Sequence, residues 1–343
     1  MVIFRSKPFA ANIDQVAMII ERDSMIARFG VPDLIADIGG THARLALVDR
    51  DGQMRVSHTF VCADFNGLSD IIHEFLKTAG NIHPKRAAMA VATPVSGDQI
   101  NFVNRKWSFS RKALQKDLGL EKLIIMNDFK ALALSLPLLE EKDRRKIGGG
   151  SAVSGEPIAL IGPGTGLGMS GLVRSQEGWM ALESEGGHAT FAPVDERERS
   201  VCRILEKEFG HVSLERLLSG PGLANIYAAI SILENLVPGP LAPSDITRQA
   251  LKGTCPHCLD TLNFFCGALG AAAGNLALTL DARGGVYIGG GMVPRFVDFF
   301  EQSEFRHRFE IKGRFSSYLS AIPTYVITAA NPALPGLASA LGR

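Results

Sequence analysis

The sequence has no charge of one sign in excess: 36 Lys and Arg stand against 35 Asp and Glu, a formal net charge of +1. No polybasic run is present either, so nothing recommends nucleic acid or an anionic membrane surface as a partner. Cysteine is scarce, and its count of five is odd. That argues against a secreted disulfide framework and fits the reducing cytoplasm. Long apolar runs are missing as well. The least polar stretch, residues 267–280, is rich in Gly and Ala and short of the roughly 20 apolar residues a bilayer span needs. No signal peptide is expected, because Asn12, Asp14 and Gln15 interrupt the segment that would form its apolar core.

What the chain does have is length and globular composition: 343 residues, 46% hydrophobic and 21% charged. That exceeds one typical core, so two lobes are expected. Residues 12–29 read as one amphipathic helix placed ahead of the first strand. Residues 34–49 read as two apolar strands joined by Gly39-Gly40-Thr41, with Asp37 near the end of the first. An aspartate on an apolar strand is costly to bury unless a cation or hydrogen-bond donor meets it. The glycines permit positive φ, which lets amide hydrogens face an anion, and Thr41 adds a hydroxyl. A carboxylate facing a metal beside a phosphate-cradling turn fits, and so does an ordinary hairpin with a satisfied aspartate.

The alternation over 54–60 predicts a third strand, and the stripe Leu68, Ile71, Ile72, Phe75 and Leu76 a helix. Strands are expected over 86–92, 99–103 and 122–126. Short helices are expected from the Ser110 cap to Leu118 and over 129–139. Residues 140–156, charged and then glycine-rich, mark a lobe boundary. Beyond it a strand over 157–161, a seven-residue glycine turn over 162–168 and a returning strand over 169–173 repeat the opening pattern, a weak internal duplication. Helices are expected over 195–209, 214–218, 222–236 and 258–280, then a strand over 285–288, a helix with Pro294 in its first turn, and a last strand over 324–328.

Four motifs carry chemistry. The turn at 162–168 lacks the Lys-Ser/Thr of a Walker loop and the spacing of a dinucleotide fingerprint, yet four glycines and a threonine favour close approach of phosphate. Asn127-Asp128 falls at a strand's carboxyl end, where α/β folds place chemistry; Asp128 can accept a proton from a hydroxyl nucleophile, and the same residue type also suits a helix cap. Glu185-Gly186-Gly187-His188 sets a carboxylate and an imidazole around a bend, which suits vicinal hydroxyls. Cys255-Pro256-His257-Cys258 is half of a zinc pattern with no second half, so free thiols are expected.

In chain order, Asp37-Ile38-Gly39-Gly40-Thr41, Asn127-Asp128, Gly162-Pro163-Gly164-Thr165-Gly166-Leu167-Gly168, Glu185-Gly186-Gly187-His188, His211-Val212-Ser213-Leu214-Glu215-Arg216, Ser219-Gly220-Pro221-Gly222-Leu223 and Gly289-Gly290-Gly291-Met292 resemble the bacterial glucokinases of the actin-like ATPase/hexokinase superfamily. The cysteine cluster of the ROK-type glucokinases is absent. The resemblance implies a two-lobed α/β fold of the actin-like (ribonuclease H-like) kind with its active site in the interlobe cleft. On that pattern residues 1–30 are an N-terminal helical extension, 31–139 with 329–343 a small domain, and 140–328 a large one. The activity implied is ATP-dependent phosphorylation of the 6-hydroxyl of D-glucose, giving glucose 6-phosphate and ADP, with Mg²⁺. Asp128 is then the general base, and Asn127, Glu185, His188, Glu215 and Asn104 hold the sugar. Asp37, Gly39, Gly40, Thr41, Gly162, Gly164, Thr165 and Gly166 surround the phosphates, with Asp37 on the Mg²⁺ side through water, and Gly220, Gly289, Gly290 and Gly291 lie near the adenosine. A cytoplasmic homodimer with glucose and ATP as its partners, and with neither nucleic acid nor membrane, completes the expectation. His42 departs from the Asn usual in the family. A sugar-sensing transcriptional regulator on the same fold would need a DNA-binding unit that one helix in residues 1–30 cannot supply. An ATPase without a small-molecule acceptor would have no use for Asn127-Asp128 together with Glu185 and His188.

Overall fold

The computed structural model describes residues 24, 26–28, 30–102, 107–237 and 239–342. Asn104 and most of the helix expected over 12–29 lie outside the described residues. The chain divides into two compact units, one running to Leu138 and taking in the segment from Asn331, the other spanning Leu139–Ala330.

The first unit holds β1 (Asp33–Ile38), β2 (His42–Val48), β3 (Met54–Val61), β4 (Arg86–Val91), β5 (Gln99–Asn101), β6 (Ser108–Ser110) and β7 (Lys122–Asn127). Five of these form a sheet in the order β3-β2-β1-β4-β7, with β5 and β6 pairing apart. β1, β2 and β3 are joined antiparallel, while β1, β4 and β7 run parallel. Leu34, Ala36 and Ile38 of β1 enter one core with Ile71, Ile72 and Phe75 of the helix Leu68–Thr78. Ile35 enters the opposite core with Met126, Ala131, Leu334 and Leu337. Strand side chains alternate, so Asp37 shares the face of Ile35. That face is covered by the helices Asp128–Ser135 and Leu334–Ala340. The two helices meet backbone to backbone: a Cβ on Gly336 would stand 2.0 Å from Ala131 O. Arg86 fastens the C-terminal segment, pairing with Asp33 at 2.6 Å and donating to Leu341 O at 3.2 Å.

The second unit holds β8 (Arg144–Ile147), β9 (Ile158–Pro163), β10 (Leu167–Ser175), β11 (Gly178–Ser184), β12 (Val286–Ile288) and β13 (Thr324–Ile327), in the order β11-β10-β9-β12-β13-β8. β9, β12 and β13 are parallel, β10 and β11 antiparallel. Five strands thus repeat the order and directions of the first sheet, and β8 adds an antiparallel edge. The duplication read from two glycine turns extends through a whole sheet.

The long helix is Pro256–Leu280, 25 residues, two residues longer at its start than expected. Length and composition alone would let it cross a membrane, so the expectation that it is too short is corrected. In this fold 72% of its most apolar window is buried inside the protein. Its small residues have a packing reason: Cβ atoms on Gly270 and Gly274 would stand 2.1 and 2.6 Å from the carbonyl oxygens of Phe305 and Phe309 on the helix Phe305–Glu310.

Other expectations shift. Residues 214–218 form turns instead of a helix: Arg216 and Leu217 donate to Ser213 O and Leu214 O at 3.1 Å each, and the N–H groups of Leu214 and Glu215 donate to Ala189 O and Gly187 O at 2.8 and 2.9 Å. The boundary segment 140–156 contains β8, whose charged residues suit a sheet edge. The strand β11 and the helix Pro243–Leu251 were not anticipated; β11 lacks alternating burial, with a mixed half-buried and exposed pattern.

Candidate active site

In the first unit the three parallel strands end level, Ile38 facing Val91 and Val91 facing Asn127. Asn127 closes β7 and caps the helix Asp128–Ser135: its Oδ1 accepts the N–H of Phe129 at 2.9 Å and of Lys130 at 3.4 Å. The cap is therefore Asn127, and Asp128 stands one residue beyond it, its Oδ1 sharing the Phe129 N–H at 2.9 Å. Burial pushes the Asp128 carboxyl up to about 6, the negative charge of Asp37 adds to the rise, and hydrogen bonds from Phe129, its own N–H and Asn127 oppose it. Such a group is mostly ionised at neutral pH and still basic enough to take a proton.

Asp37 is half-buried, and burial raises its pKa too, offset in part by Arg44. The register sets Arg44 opposite Asp37 on β2, and its Nη1 reaches Asp37 Oδ2 at 3.3 Å. Two carboxylates that burial makes reluctant to ionise, one feeling the charge of the other, form a site that a divalent cation would relieve. No group of three or more His, Cys, Asp and Glu able to hold a metal occurs among the described residues. A cation here would therefore complete its shell from water and a bound ligand, as hard oxygen-seeking cations do.

The turn after β1 is tight, with Gly39 N–H donating to His42 O at 2.9 Å and Gly40, Thr41 and His42 exposed. Neither Gly39 nor Gly40 takes a positive φ, contrary to expectation. A Cβ on Gly40 would meet nothing within 4 Å, whereas one on Gly39 would stand 3.3 Å from His42 O.

In the second unit the glycine turn is shorter than expected. Ladder pairing continues through Gly162 with Gly168 and Pro163 with Leu167, so only Gly164-Thr165-Gly166 turns, and Gly162 belongs to β9. Gly220 N–H donates to Gly164 O at 2.8 Å, at the start of the helix Gly220–Leu233. Glu215 leans across the turn, its Oε2 accepting the Leu167 N–H at 2.8 Å. A Cβ on Gly166 would lie 2.5 Å from that same oxygen, so the glycine leaves room for the carboxylate where it stands. A Cβ on Gly187 would lie 2.1 Å from Leu167 O, and Gly187 O accepts the Glu215 N–H at 2.9 Å.

Glu185 and His188 flank the one-turn helix Gly186–His188 with side chains 73% and 63% exposed and 3.9 Å between Oε2 and Nε2. Gly289 N–H donates to Ile161 O at 2.8 Å. Gly290 has φ +74°, and its Cβ would stand 2.3 Å from Pro163 O. The structure thus gathers Gly162, Gly164, Thr165, Gly166, Glu185, His188, Glu215, Gly220, Gly289, Gly290 and Gly291 around the carboxyl ends of β9 and β12. Open α/β sheets place their ligands at such ends.

Two contributors were given no role by the sequence reading. Arg44 is legible from hairpin register, which sets residue 44 across from residue 37. Ser219 is legible as a cap before Gly220-Pro221; its Oγ accepts the Gly222 N–H at 3.0 Å and donates to Glu215 O at 2.8 Å.

The model of the glucokinase family matches residues 34–343. A glucokinase of Aromatoleum aromaticum is 51% identical over 312 residues, covering 90% of this chain and 94% of that protein. The crystal structure of a glucokinase from an Antarctic psychrotroph aligns with a TM-score of 0.83 at 39% identity, covering 91% of this chain and 99% of that one. A glucokinase from Balamuthia mandrillaris, solved in complex with glucose, aligns with a TM-score of 0.79 at 20% identity, covering 95% of this chain and 98% of that one. With matching motifs, a matching fold and a relative of this identity over nearly its whole length, the chain belongs to the glucokinase family.

Proposed function

We propose that the protein transfers the γ-phosphoryl group of ATP to the 6-hydroxyl of D-glucose, giving glucose 6-phosphate and ADP, with Asp128 as general base. The observation that carries the reading is Asp128 itself: a carboxyl at a parallel strand end, relieved of capping by Asn127 and pushed up to about 6 beside Asp37. As the 6-hydroxyl attacks phosphorus, Asp128 takes its proton, and a base titrating just below neutral is matched to that task.

Sugar hydroxyls are held by Glu185, His188, the free oxygen of Glu215, the Asn127 amide and Asn104. The turns Gly39-Gly40-Thr41 and Gly164-Thr165-Gly166 border the phosphate oxygens, with the Thr41 and Thr165 hydroxyls as donors and Gly162 behind the second turn. Gly220, Gly289, Gly290 and Gly291 border the adenosine. Asp37 would hold Mg²⁺ through water, and the ion would supply charge neutralisation to the phosphates. The repeated five-strand order supports placing the fold in the actin-like ATPase (ribonuclease H-like) superfamily. Glucose in the complex of the Balamuthia relative supports the sugar assignment. Free, mostly buried cysteines fit a cytoplasmic setting.

The test is a coupled assay for sugar 6-phosphate over a panel of hexoses with ATP and Mg²⁺. Glucose is expected to give the highest kcat/KM. ADP release that is indifferent to sugar would overturn the reading in favour of a plain ATPase.

A further inference from the structure

Cys255-Pro256-His257-Cys258 has no part in the phosphoryl-transfer site, and its place in the fold is specific. Cys255 is the cap residue of the helix Pro256–Leu280, with Pro256 at the first helical position. Its Sγ accepts the N–H of Cys258 at 3.2 Å, in the manner of a serine or aspartate cap. Helix N-termini stabilise negative sulfur, and reactive members of Cys-X-X-Cys pairs sit in this environment. Cys255 is half-buried, and the neighbouring residues 251–254 and Pro256 are exposed, whereas Cys258 is buried directly behind it.

A metal does not explain the pair, since the described residues contain no group of three or more His, Cys, Asp and Glu placed to hold one. His257 turns away from the thiols. Its Nε2 lies 3.2 Å from Tyr227 O and close to Ser231 Oγ, and its Nδ1 lies 3.2 Å from Glu234 Oε2. The imidazole therefore pins the start of this helix to the helix Gly220–Leu233 and its following turn. Cys255 Sγ sits 3.2 Å from the Cys258 N–H, and the Cys258 thiol hydrogen-bonds to Cys255, so the two sulfurs meet at the start of the helix.

We propose that Cys255 and Cys258 are a redox-active dithiol that closes to a disulfide by exchange with a small-molecule disulfide of the glutathione class. Cys255 thiolate attacks one sulfur of the disulfide, the S–S bond breaks, and one thiolate leaves. Cys258 then loses its proton to water and attacks Cys255 Sγ, expelling the second thiolate. Two electrons pass from the protein dithiol to the small disulfide, which is released as two thiols after protonation. Burial first, then the hydrogen bond and charge of Cys255, push the Cys258 thiol up to about 12. The remaining cysteines do not compete: Cys62 and Cys266 are buried, and burial pushes the Cys202 thiol up to about 11.

The experiment incubates the reduced full-length protein in graded mixtures of glutathione and glutathione disulfide, quenches with acid and alkylates the free thiols. Intact mass and peptide mapping then locate the products. Wild type is expected to lose two alkylatable thiols and yield a peptide bridged between Cys255 and Cys258. Cys258→Ala is expected to stop at a glutathione adduct on Cys255. Cys255→Ser, which keeps the capping group and with it the fold, is expected to give neither product and to retain its phosphotransfer activity. Wild type that remains fully alkylatable across the series, or that accumulates glutathione on Cys255 without closing the bridge, overturns the proposal.

Discussion

Asp128 is held in tension between function and stability. Its folded carboxyl titrates near 6 against an ordinary value of 3.8. Because the folded value is raised, the group favours folding while protonated, and that advantage is lost as pH rises through about 6. At about 1.4 kcal/mol for each tenfold change, the charged form at neutral pH costs the fold up to about 3 kcal/mol. Asp128→Asn removes the charge and leaves the Asn127 cap in place, so thermal melts should show a higher Tm than wild type at pH 7–8. The gain should shrink as pH falls below about 6, and a Tm lowered throughout would mean that Asp128 stabilises the fold. Activity should carry the same signature, with the acid limb of kcat/KM falling near pH 6, the value of the enzyme without glucose, as Asp128 becomes protonated. At the sugar side, Glu185→Gln swaps an acceptor oxygen for an NH₂ donor and leaves a hydroxyl unpaired, a loss of about 1–3 kcal/mol. Isothermal titration of glucose should show a roughly tenfold or greater weakening, with the ATP KM much less affected. Equal glucose affinities would remove Glu185 from the sugar site.

Among elements, the glycine turns show which glycines geometry requires. Gly290 takes a left-handed φ of +74° and has no room for a Cβ beside Pro163 O, whereas a Cβ on Gly291 meets nothing within 4 Å. Gly290→Ala should cost at least about 1–2 kcal/mol in denaturant unfolding, and Gly291→Ala much less. Similar losses for both would mean that the run 289–291 does not pack on the end of β9 as described. Most strands were legible because alternation and glycine punctuation are local signals, whereas β6, β8 and β11 were not. Nor were residues 214–218: Leu214 and Glu215 are anchored by Ala189 O and Gly187 O, partners far off in sequence, and an apolar spacing of helical type says nothing of that. The length of the glycine turn was misjudged for a related reason, since Gly162 and Gly168 pair as ladder residues whatever their turn propensity. Gly166 shows the converse, a glycine whose packing partner is visible only once Glu215 is seen leaning over it.

For the whole molecule, the first unit is built from both ends of the described chain. Leu334, Leu337 and Leu341, at 1%, 0% and 2% exposure, close the face of the sheet that carries Asp37. Burying three leucines at about 2–5 kcal/mol each is comparable with the entire stability of a domain, about 5–15 kcal/mol. A chain ending at Ala330 should therefore lose the cooperative melt of the first unit and become protease-sensitive there. An unchanged melt would show that the C-terminal helix is dispensable. The measurement that bears most directly on the central claim is steady-state glucose 6-phosphate formation by Asp128→Asn, paired with calorimetric titration of glucose into the same variant. The account predicts kcat reduced by at least ~10² with glucose affinity close to that of wild type. A variant that binds glucose and turns over at near the wild-type rate would contradict it, and Asp128 would not be the base.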